Sequence, residues 1–574
     1  MYYILLALFF PFRLIRFLYL SLFGFLHSGN HILVEIPGKF ASYRKTSIVE
    51  WVTGKDSEVL FLDFLNDLDL IAKSNRIKKV SFHISSELEF GMAELSNLSY
   101  QIEKIKAKGI ETAGFAASGD IKSLYLLSFM HKKYSAPSGE FTVLLPAVES
   151  FFFGNLLKNL GVKVDSFASG PYKSFAESFN RNSFSIPAKE NLTMLIRSIK
   201  TQILDTFYDN AKLESKILKR PILTSKYLLD IGFLTSYLEE ENFTENYCNK
   251  NYEETDKTAS NVEDDEASIG DIHFFHKKKL FRFFPPKKKK IIILPLKGNI
   301  AMGKKEEDEI KSDAIHAYPV LAALKSIRDD KSVKGVILEI DSSGGSAFAS
   351  ELIYQEILKL KKKVKVYAYF QNVAASGGYY IAAACDRIIS NPLCITGSIG
   401  TVMIRPNLKK LYNKYGVTKQ RIEFYPLREI FSEYGQLSPE SKEFLNEEIK
   451  RVNGQFYERV MLSRKKDLKE LETLAQGRVF TGKSFLASSM VDSNQAFLET
   501  VEDLKKELAL DQVLIEYRPS IYSFKSMARE FRFGLNLLFH PKLLLKQIKV
   551  DKGIQLKSEL ASVIASSLKG NELT

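Results

Sequence analysis

The sequence predicts an α/β protein in which helices cover parallel sheets, and it predicts this arrangement twice. Strand-like and helix-like segments alternate from residue 31 to 245, and the same rhythm restarts at Ile291. This alternation is typical of parallel sheets, because parallel strands need a crossover connection that a helix supplies. The two runs can also be aligned at a constant offset of 255 residues, with Phe115 on Phe370 and Pro137 on Pro392. Internal duplication explains this register better than two unrelated domains do.

The composition is that of a globular protein with an uneven positive charge. Of 574 residues, 45% are hydrophobic and 26% are charged, and the net charge is +13. A basic excess is typical of proteins that bind nucleic acid or an anionic membrane. No nucleic-acid motif accompanies it, so we expect no nucleic-acid partner. The cysteines are too few for a disulfide framework or a zinc site; they are Cys248, Cys385 and Cys394.

The first 26 residues are almost wholly apolar and are interrupted by Pro11, Arg13 and Arg16. A spanning helix needs about 20 apolar residues, which neither half of this segment supplies alone. Its arginines also lie in the wrong place for the compact n-region of a secretory signal. We predict a membrane anchor within residues 1–30, spanning or interfacial; a cleaved signal and a buried helix are the alternatives.

The first α/β domain is predicted over residues 31–246. The predicted strands are 31–37, 79–84 and 112–116, and the predicted helices are 59–73, 92–108 and 120–132, with mostly helix over 186–232. Residues 247–290 then read as a linker, acidic up to Asp271 and rich in lysine and phenylalanine afterwards. The basic part suits either an anionic lipid surface or solvent.

The second α/β domain is predicted over residues 291–510, followed by a basic, amphipathic extension over 511–574. The predicted strands begin at Ile291 and include 333–341, 364–370 and 387–392, and the predicted helices are 318–328, 348–362, 379–385 and 438–463. Within the extension, Phe531–Val550 is basic and apolar and suits a membrane surface.

A serine lies where a strand turns into a helix in the second domain. Ser376 follows the apolar strand and precedes Gly377 and Gly378, which leave its hydroxyl uncovered. A helix N-terminus favours a negatively charged oxygen, because it presents free N–H groups. Taken alone, the pattern favours a plain tight turn with a small residue over a nucleophile.

Aligned at the offset of 255, each domain lacks a candidate site residue that the other domain retains. Ser376 aligns with Ile121, and Gly344 and Gly345 align with Glu89 and Phe90, so the first domain lacks the serine and the glycine turn. Conversely, Lys173 aligns with Arg428, which cannot act as a base because it stays protonated. A neutral lysine can activate a serine if burial lowers its pKa, whereas the eight histidines lie in no catalytic motif. A single site would then require the two domains to pack face to face, so that the serine of one lies beside the lysine of the other.

Several segments resemble the signal peptide peptidase A family in its double-length bacterial form, over about residues 31–510. The resemblance is specific in EIDSSGGSAFASE, NVAASGGYYIAAACDRI, NPLCITGSIGT and LAQGRVFTGKSFLASSMVD, and weaker in SGPYKSFAESFN. It implies duplicated domains of the Clp protease/crotonase type, built from repeated ββα units. It also implies a membrane-associated serine endopeptidase with Ser376 as nucleophile and Lys173 as general base.

The resemblance extends to further residues and to partners. It implies that the N–H groups of Gly344 and Gly345 form the oxyanion hole and that Ser398 orients the lysine. One departure is Ser343, where the family usually has proline. The expected substrates are cleaved signal peptides and other apolar peptides, and neither metal nor cofactor is expected. The expected setting is the bacterial inner membrane, with the catalytic domains on the periplasmic side and the chain in a homo-oligomer. A crotonase-like acyl-CoA enzyme and a non-catalytic membrane scaffold are the alternatives.

Overall fold

The first half of the chain forms a parallel sheet with helices packed against it. The computed structural model describes residues 30–41, 59–75, 77–211, 220–243, 289–303, 314–422, 427–510 and 513–517. The strands of this half are β1 His31–Ile36, β2 Lys79–Ile84, β3 Glu111–Ala116, β4 Gly119–Asp120, β5 Lys132–Ser135, β6 Glu140–Thr142, β7 Lys163–Ala168, β8 Ile222–Thr224 and β9 Ser236–Tyr237. The helices are α1 Phe61–Lys73, α2 Met92–Ala107, α3 Ile121–Ser128, α4 Gly154–Leu160, α5 Glu177–Asn180, α6 Ile186–Ala211 and α7 Ser225–Asp230. The sheet order is β1-β2-β3-β5-β9, parallel throughout.

The second half repeats this arrangement with longer strands. Its strands are β10 Lys289–Lys297, β11 Asn299–Ala301, β12 Ala314–His316, β13 Val333–Ser342, β14 Lys365–Ala375, β15 Arg387–Ser390, β16 Ile395–Gly397, β17 Val402–Asn407, β18 Val479–Thr481, β19 Ser493–Asn494 and β20 Val513–Tyr517. The helices are α8 Ala317–Asp329, α9 Ala347–Lys361, α10 Gly377–Ala382, α11 Lys409–Lys414, α12 Pro439–Arg464, α13 Leu468–Leu474, α14 Gly482–Ala487 and α15 Phe497–Glu507. The α/β class is therefore confirmed.

Five strands of the eight-stranded second sheet follow the strand order of the first sheet. In the second half β10, β13, β14, β15 and β19 pair in sequence, all in parallel. They correspond to β1, β2, β3, β5 and β9, and β5 and β15 lie 255 residues apart at both ends. The offset of 255 thus places β2, β3 and β5 on β13, β14 and β15, which hold the same places in the two sheets.

The second sheet is buried on both faces, and one face packs on the first half. Side chains that alternate along its strands, such as Ile293 and Tyr369, share a core with α1 and α2. Their neighbours, such as Ile292 and Leu338, pack against α8 and α9 on the other face. This burial explains why these strands read as continuous apolar runs. The two halves therefore share one core.

Some predicted boundaries are wrong. The helix predicted over 120–132 ends at Ser128, and Lys132 begins a strand instead. Asp120 caps that helix, because its carboxylate accepts the N–H groups of Lys122 and Ser123. The helix predicted over 379–385 covers Gly377–Ala382, since β14 continues to Ala375, directly before the serine.

Several predictions fall on residues that the structure does not describe. They are the anchor at residues 1–26, the linker up to residue 288, and the extension from residue 518 onwards. Among the helices of the described ranges, none is both long and apolar enough to cross a membrane.

Candidate active site

Ser376 occupies a strained turn between β14 and α10. Its backbone angles are φ 53° and ψ −115°, outside the regions that a side chain normally allows. Two hydrogen bonds hold this conformation: the Ser376 N–H donates to Gly397 O at 2.8 Å, and the Tyr380 N–H donates to Ser376 O at 2.9 Å. Because the hydroxyl does not cap the helix, it remains available for other contacts.

The glycine turn predicted as an oxyanion hole lies directly against this serine. At Gly344, φ is 104°, and a Cβ would lie 2.8 Å from Ser376 Cβ and 2.7 Å from Gly377 N. Only glycine tolerates both this backbone angle and this approach. The Gly344 N–H donates to Ser342 Oγ at 3.1 Å, whereas the Gly345 N–H makes no hydrogen bond to any described residue. The turn is therefore adjacent to the serine, with one of its two N–H groups engaged.

Lys173 reaches this serine from the other half of the chain. Its Nζ lies 3.0 Å from Ser376 Oγ, 3.0 Å from Ser398 Oγ and 2.7 Å from Ser398 O. The side chain is partly buried, and burial lowers the pKa of the amine from 10.5 to about 8. A neutral amine has two N–H groups and one lone pair. It can donate both to Ser398 and accept the hydroxyl proton of Ser376, which matches the three contacts.

An antiparallel strand pair between the halves places the lysine. Strands β7 and β17 pair from Lys163 with Asn407 to Ala168 with Val402. Directly after β7, the Ser169 N–H donates to Thr401 O, and the Thr401 N–H donates to Ser169 Oγ. The chain then has only four further residues to reach Lys173. The position of the amine is thus set by backbone pairing more than 200 residues away in sequence.

A loop of the second half supports the lysine segment from the other side. The Tyr172 N–H donates to Gln476 O, and the Ser398 N–H donates to Arg478 O at 2.6 Å. Between them, a Cβ at Gly477 would lie 2.5 Å from Lys173 N, and φ there is 87°, so glycine is required. This loop belongs to the LAQGRVF motif, whose residues alone indicate no role.

Arg478 is a further residue of the site, although its sequence motif indicates no such role. Its guanidinium lies 4.1 Å from the ring centroid of Tyr172, and its Nη2 donates to Tyr172 Oη at 2.8 Å. The Arg478 Nε is buried and has no hydrogen-bond partner among the described residues. Arg478 therefore fixes the residue next to Lys173 through its side chain and Ser398 through its carbonyl. No local signal points to this role, because the contact spans 306 positions.

The corresponding place in the first half is filled. Lys122, which aligns with Gly377, donates from Nζ to Leu88 O at 2.6 Å and to Phe90 O at 3.1 Å. These carbonyls belong to the segment that aligns with the glycine turn. In the first half, the Lys122 side chain therefore hydrogen-bonds the segment that corresponds to the glycine turn. In the second half, Gly377 at the aligned position leaves the glycine turn free to approach Ser376.

Ser343 and the two described cysteines take ordinary structural places. The Ser343 hydroxyl donates to Asn299 Oδ1 at 2.9 Å, at the exposed side of the turn. Cys385 and Cys394 are free and buried, and burial raises the pKa of both thiols far above its usual range. They are core residues.

Comparison with known proteins places the chain among peptidases. Peptidase family S49 matches residues 358–511. A protein of Enterococcus faecium named as a candidate signal peptide peptidase SppA is 34% identical over 41% of this chain and 69% of its own length. The chloroplastic serine protease SPPA of Arabidopsis thaliana is 28% identical over 73% of this chain and 61% of its own length. Protease 4 of Haemophilus influenzae is 28% identical over 70% and 65%.

The matched part of the chain thus spans about three-fifths to two-thirds of the length of these relatives. The match to the Enterococcus protein exceeds 30% identity and covers more than two-thirds of that protein. The chain therefore belongs to the signal peptide peptidase A family, within peptidase family S49.

Proposed function

We propose that the chain is a serine endopeptidase that uses a Ser376–Lys173 dyad. The observation that carries the proposal is the 3.0 Å separation between Lys173 Nζ and Ser376 Oγ. At pH 7.5 an amine with a pKa of about 8 is roughly one quarter neutral, whereas an ordinary lysine is neutral in about one molecule in a thousand. The partly buried amine is therefore available as a base.

The chemistry follows from these positions. Ser376 Oγ attacks the peptide carbonyl while Lys173 takes its proton, and the resulting ammonium then protonates the leaving amine. Water hydrolyses the acyl-enzyme with the same lysine as base. The Gly345 N–H, with the Gly344 N–H once it is released from Ser342, would stabilise the oxyanion. Ser398 would orient the amine through its hydroxyl and its carbonyl.

The decisive experiment combines active-site labelling with cleavage of an apolar peptide. Wild-type protein should react with a fluorophosphonate at Ser376. Ser376→Ala and Lys173→Met should each lower cleavage about a thousandfold or more. Lys189→Met is the matched control, because Lys189 is an exposed lysine of the same half and should leave activity unchanged. Substantial activity in either dyad variant, with intact folding, would refute the dyad.

The proposed substrates are cleaved signal peptides and other apolar peptides at the bacterial inner membrane. The name of the Enterococcus relative supports a signal peptide substrate, and the apolar segment 1–26 supports membrane attachment. We place the catalytic domains on the periplasmic side and propose a homo-oligomer. Incubation with a synthetic signal peptide and a polar peptide of equal length tests the substrate class; equal cleavage rates would contradict it.

We also propose that the two halves are duplicated domains of the Clp protease/crotonase type. Their shared strand order and the constant offset support this, as does the complementary loss of serine and lysine. A duplicated chain can specialise each copy, so that one site draws its nucleophile from one copy and its base from the other.

A further inference from the structure

Helix α2 of the first half begins without a capping side chain of its own. Its N-cap residue is Gly91, which has no side chain that could accept the free N–H groups of the first turn. The offset of 255 places Gly91 on Ser346, the N-cap residue of α9. Ser346 caps its own helix, because its Oγ accepts the Ala349 N–H at 3.3 Å. The first half therefore lacks a cap at the position where the second half has one.

Asn372 of the second half supplies the missing cap. Its Oδ1 accepts the N–H of Ala93, the second residue of α2, at 3.1 Å. A Cβ at Gly91 would lie 2.1 Å from this oxygen, and its three nearest atoms would all belong to the Asn372 amide. Helix α2 therefore needs glycine at its start, because an amide from the other half occupies the place of a side chain. Ala117, which aligns with Asn372, has no polar group with which to return the contact.

The nitrogen of the same amide contacts a carboxylate of the second half. Asn372 Nδ2 donates to Asp341 Oδ2 at 3.0 Å, and Asp341 Oδ1 accepts the Val373 N–H at 3.0 Å. Only one orientation of the amide serves both partners, because the Ala93 N–H needs an acceptor and the carboxylate needs a donor. The amide thus connects the first turn of α2 to β13 and β14.

The carboxylate holds a bulge in β14 directly before the candidate nucleophile. The pairing of β13 with β14 shifts between Ile340 and Ser342, so that residues 371–373 of β14 lie opposite Asp341 alone. A bulge changes the direction in which the following residues point. The N–H that Asp341 accepts lies three residues before Ser376, and the next residue of β13 accepts an N–H of the glycine turn. Asp341 therefore lies between the two segments that meet at Ser376.

We infer that Asn372 and Asp341 are positioning residues for Ser376, and that they act through the docked N-terminus of α2. The first half brings Lys173 to the site, and α2 of the same half orients the amide that holds the bulge. The base and the nucleophile are thereby positioned by the same half of the chain. This inference rests on the proposed peptidase function and adds two residues that act on the nucleophile without reaching the reacting atoms.

Returning the cap to α2 separates positioning from capping. Asn372→Ala removes the amide, so that hydrogen exchange at the Ala93 N–H should become about tenfold faster and kcat should fall about 10–100-fold. Gly91→Ser in that background introduces the residue type of the aligned position, and the atoms that would obstruct its side chain are gone. The double variant should regain slow exchange and keep the low kcat. Gly91→Ser alone should lower kcat too, because its side chain would meet the Asn372 amide.

An exchange of the two polar side chains tests the contact between them. Asp341→Asn places a donor against the Asn372 donor, and Asn372→Asp places two carboxylates against each other; each change should lower kcat about 10–100-fold. Together the two changes restore the pattern of donors and acceptors. The carboxylate at position 372 can accept the Ala93 N–H and the amide at position 341, and the oxygen of that amide can accept the Val373 N–H. The double exchange should therefore recover kcat to within about threefold of the wild type.

The pH profile and a matched control distinguish this role from a general loosening of the two halves. Because Asn372 acts on the position of Ser376 and not on the burial of Lys173, kcat should fall at every pH while the midpoint of the profile stays unchanged. The control is Asn97→Ala. Asn97 also lies on α2 and contacts the second half, but at Tyr369, ahead of the bulge. Its loss should reduce stability and leave kcat within about twofold of the wild type.

Four results would overturn the inference. They are full activity in Asn372→Ala, recovery of kcat when Gly91→Ser restores slow exchange, failure of the double exchange to recover kcat, and an equal loss of kcat in Asn97→Ala. The second result would mean that the amide only caps the helix, and the fourth that any weakened contact between the halves lowers activity. A wild type that neither cleaves peptide nor reacts with a fluorophosphonate would contradict the proposed peptidase itself, and the exchange rates of α2 would then still show whether the second half caps it.

Discussion

At the scale of single residues, the lowered pKa of Lys173 predicts how activity depends on pH. Only the neutral amine can accept the Ser376 proton, so kcat/KM should rise with pH and level off above an apparent pKa of about 8. Cleavage rates measured between pH 6 and pH 10 check this. A midpoint near 6.5 would instead indicate a histidine base.

The same pKa predicts a stability difference. Between about pH 8 and 10.5 the unfolded chain binds a proton at Lys173 that the folded chain does not bind, so wild-type stability gains with rising pH. Relative to Lys173→Met, the free energy of unfolding of the wild type should improve by about 1–3 kcal/mol from pH 7 to pH 10. Urea unfolding of both proteins at both pH values measures it, and other titrating groups cancel in the comparison. No change, or a change of opposite sign, would contradict the buried amine.

Arg478 and Tyr172 are predicted to be positioning residues for Lys173. Tyr172→Leu removes both the stacking and the hydroxyl, and Arg478→Ala removes the cation. Each should lower kcat by about 10–100-fold and move the apparent pKa upward, because a loosened segment admits water to the amine. Tyr172→Phe keeps the ring and should retain more activity than Tyr172→Leu. A purely structural role would lower the melting temperature without moving the pH profile.

These residues also show what the sequence could and could not reveal. Ser376 and Lys173 stand in motifs of a known family, and the offset between the halves connects them. Arg478 stands in such a motif too, but its role depends on a side-chain contact with the other half. Sequence patterns and spacing report only on neighbours along the chain, whereas the contact between Arg478 and Tyr172 joins residues that are distant in sequence.

At the scale of elements, the long periodic segments were predictable and most of the short strands were not. The apolar strand before Ser376 was found, although it continues to Ala375. Strand β17, VMIRPN, was missed, because it contains a proline and an arginine and its partner lies in the other half. Such strands are defined by the edge that they pair with and only weakly by their own residues.

Strand β17 depends on a buried ion pair, which predicts the effect of removing it. Arg405 Nη1 lies 3.3 Å from Asp165 Oδ2, and its Nη2 donates to Glu429 O and Gly435 O. Arg405→Met should lower the free energy of unfolding by about 2–4 kcal/mol and reduce peptidase activity, because β7 leads directly to Lys173. Denaturant unfolding and peptide cleavage measure the two effects.

The matched control for this pair is Lys163→Met. Lys163 also contacts Asp165, at 3.0 Å, but its side chain is 64% exposed. Water screens the exposed ammonium of Lys163, so this variant should differ from wild type by less than about 1 kcal/mol. Equal effects of the two substitutions would show that stability depends on any positive charge beside Asp165 and not on the buried guanidinium of Arg405 in particular.

At the scale of the whole molecule, the two halves are not independent, although the sequence suggests two domains. Helix α2 of the first half packs on the sheet of the second, and Asn97 on that helix donates to Tyr369 Oη at 3.2 Å and accepts from Phe497 N–H at 2.7 Å. The alternation of strand-like and helix-like segments predicted a sheet whose faces are covered by helices. The sequence did not predict which surface packs on this sheet. A continuous apolar strand has the same pattern whether a helix of its own domain or another domain covers it.

This shared core predicts that damage in one half destabilises both. Leu98 on α2 is fully buried in the core that includes Tyr369 and Phe497. Leu98→Ala should lower the free energy of opening by about 2–4 kcal/mol for the slowest-exchanging amides of both β3 and β14 in native-state hydrogen exchange. Leu468→Ala, which truncates a half-exposed leucine of the second half, should change neither by more than about 0.5 kcal/mol. If only β3 loses protection, the halves open separately, and the dyad would then join two independent domains whose relative motion could separate Lys173 from Ser376. Equal loss in both strands means that the lysine and the serine are held in one cooperative unit, as a 3.0 Å contact between distant parts of the chain requires.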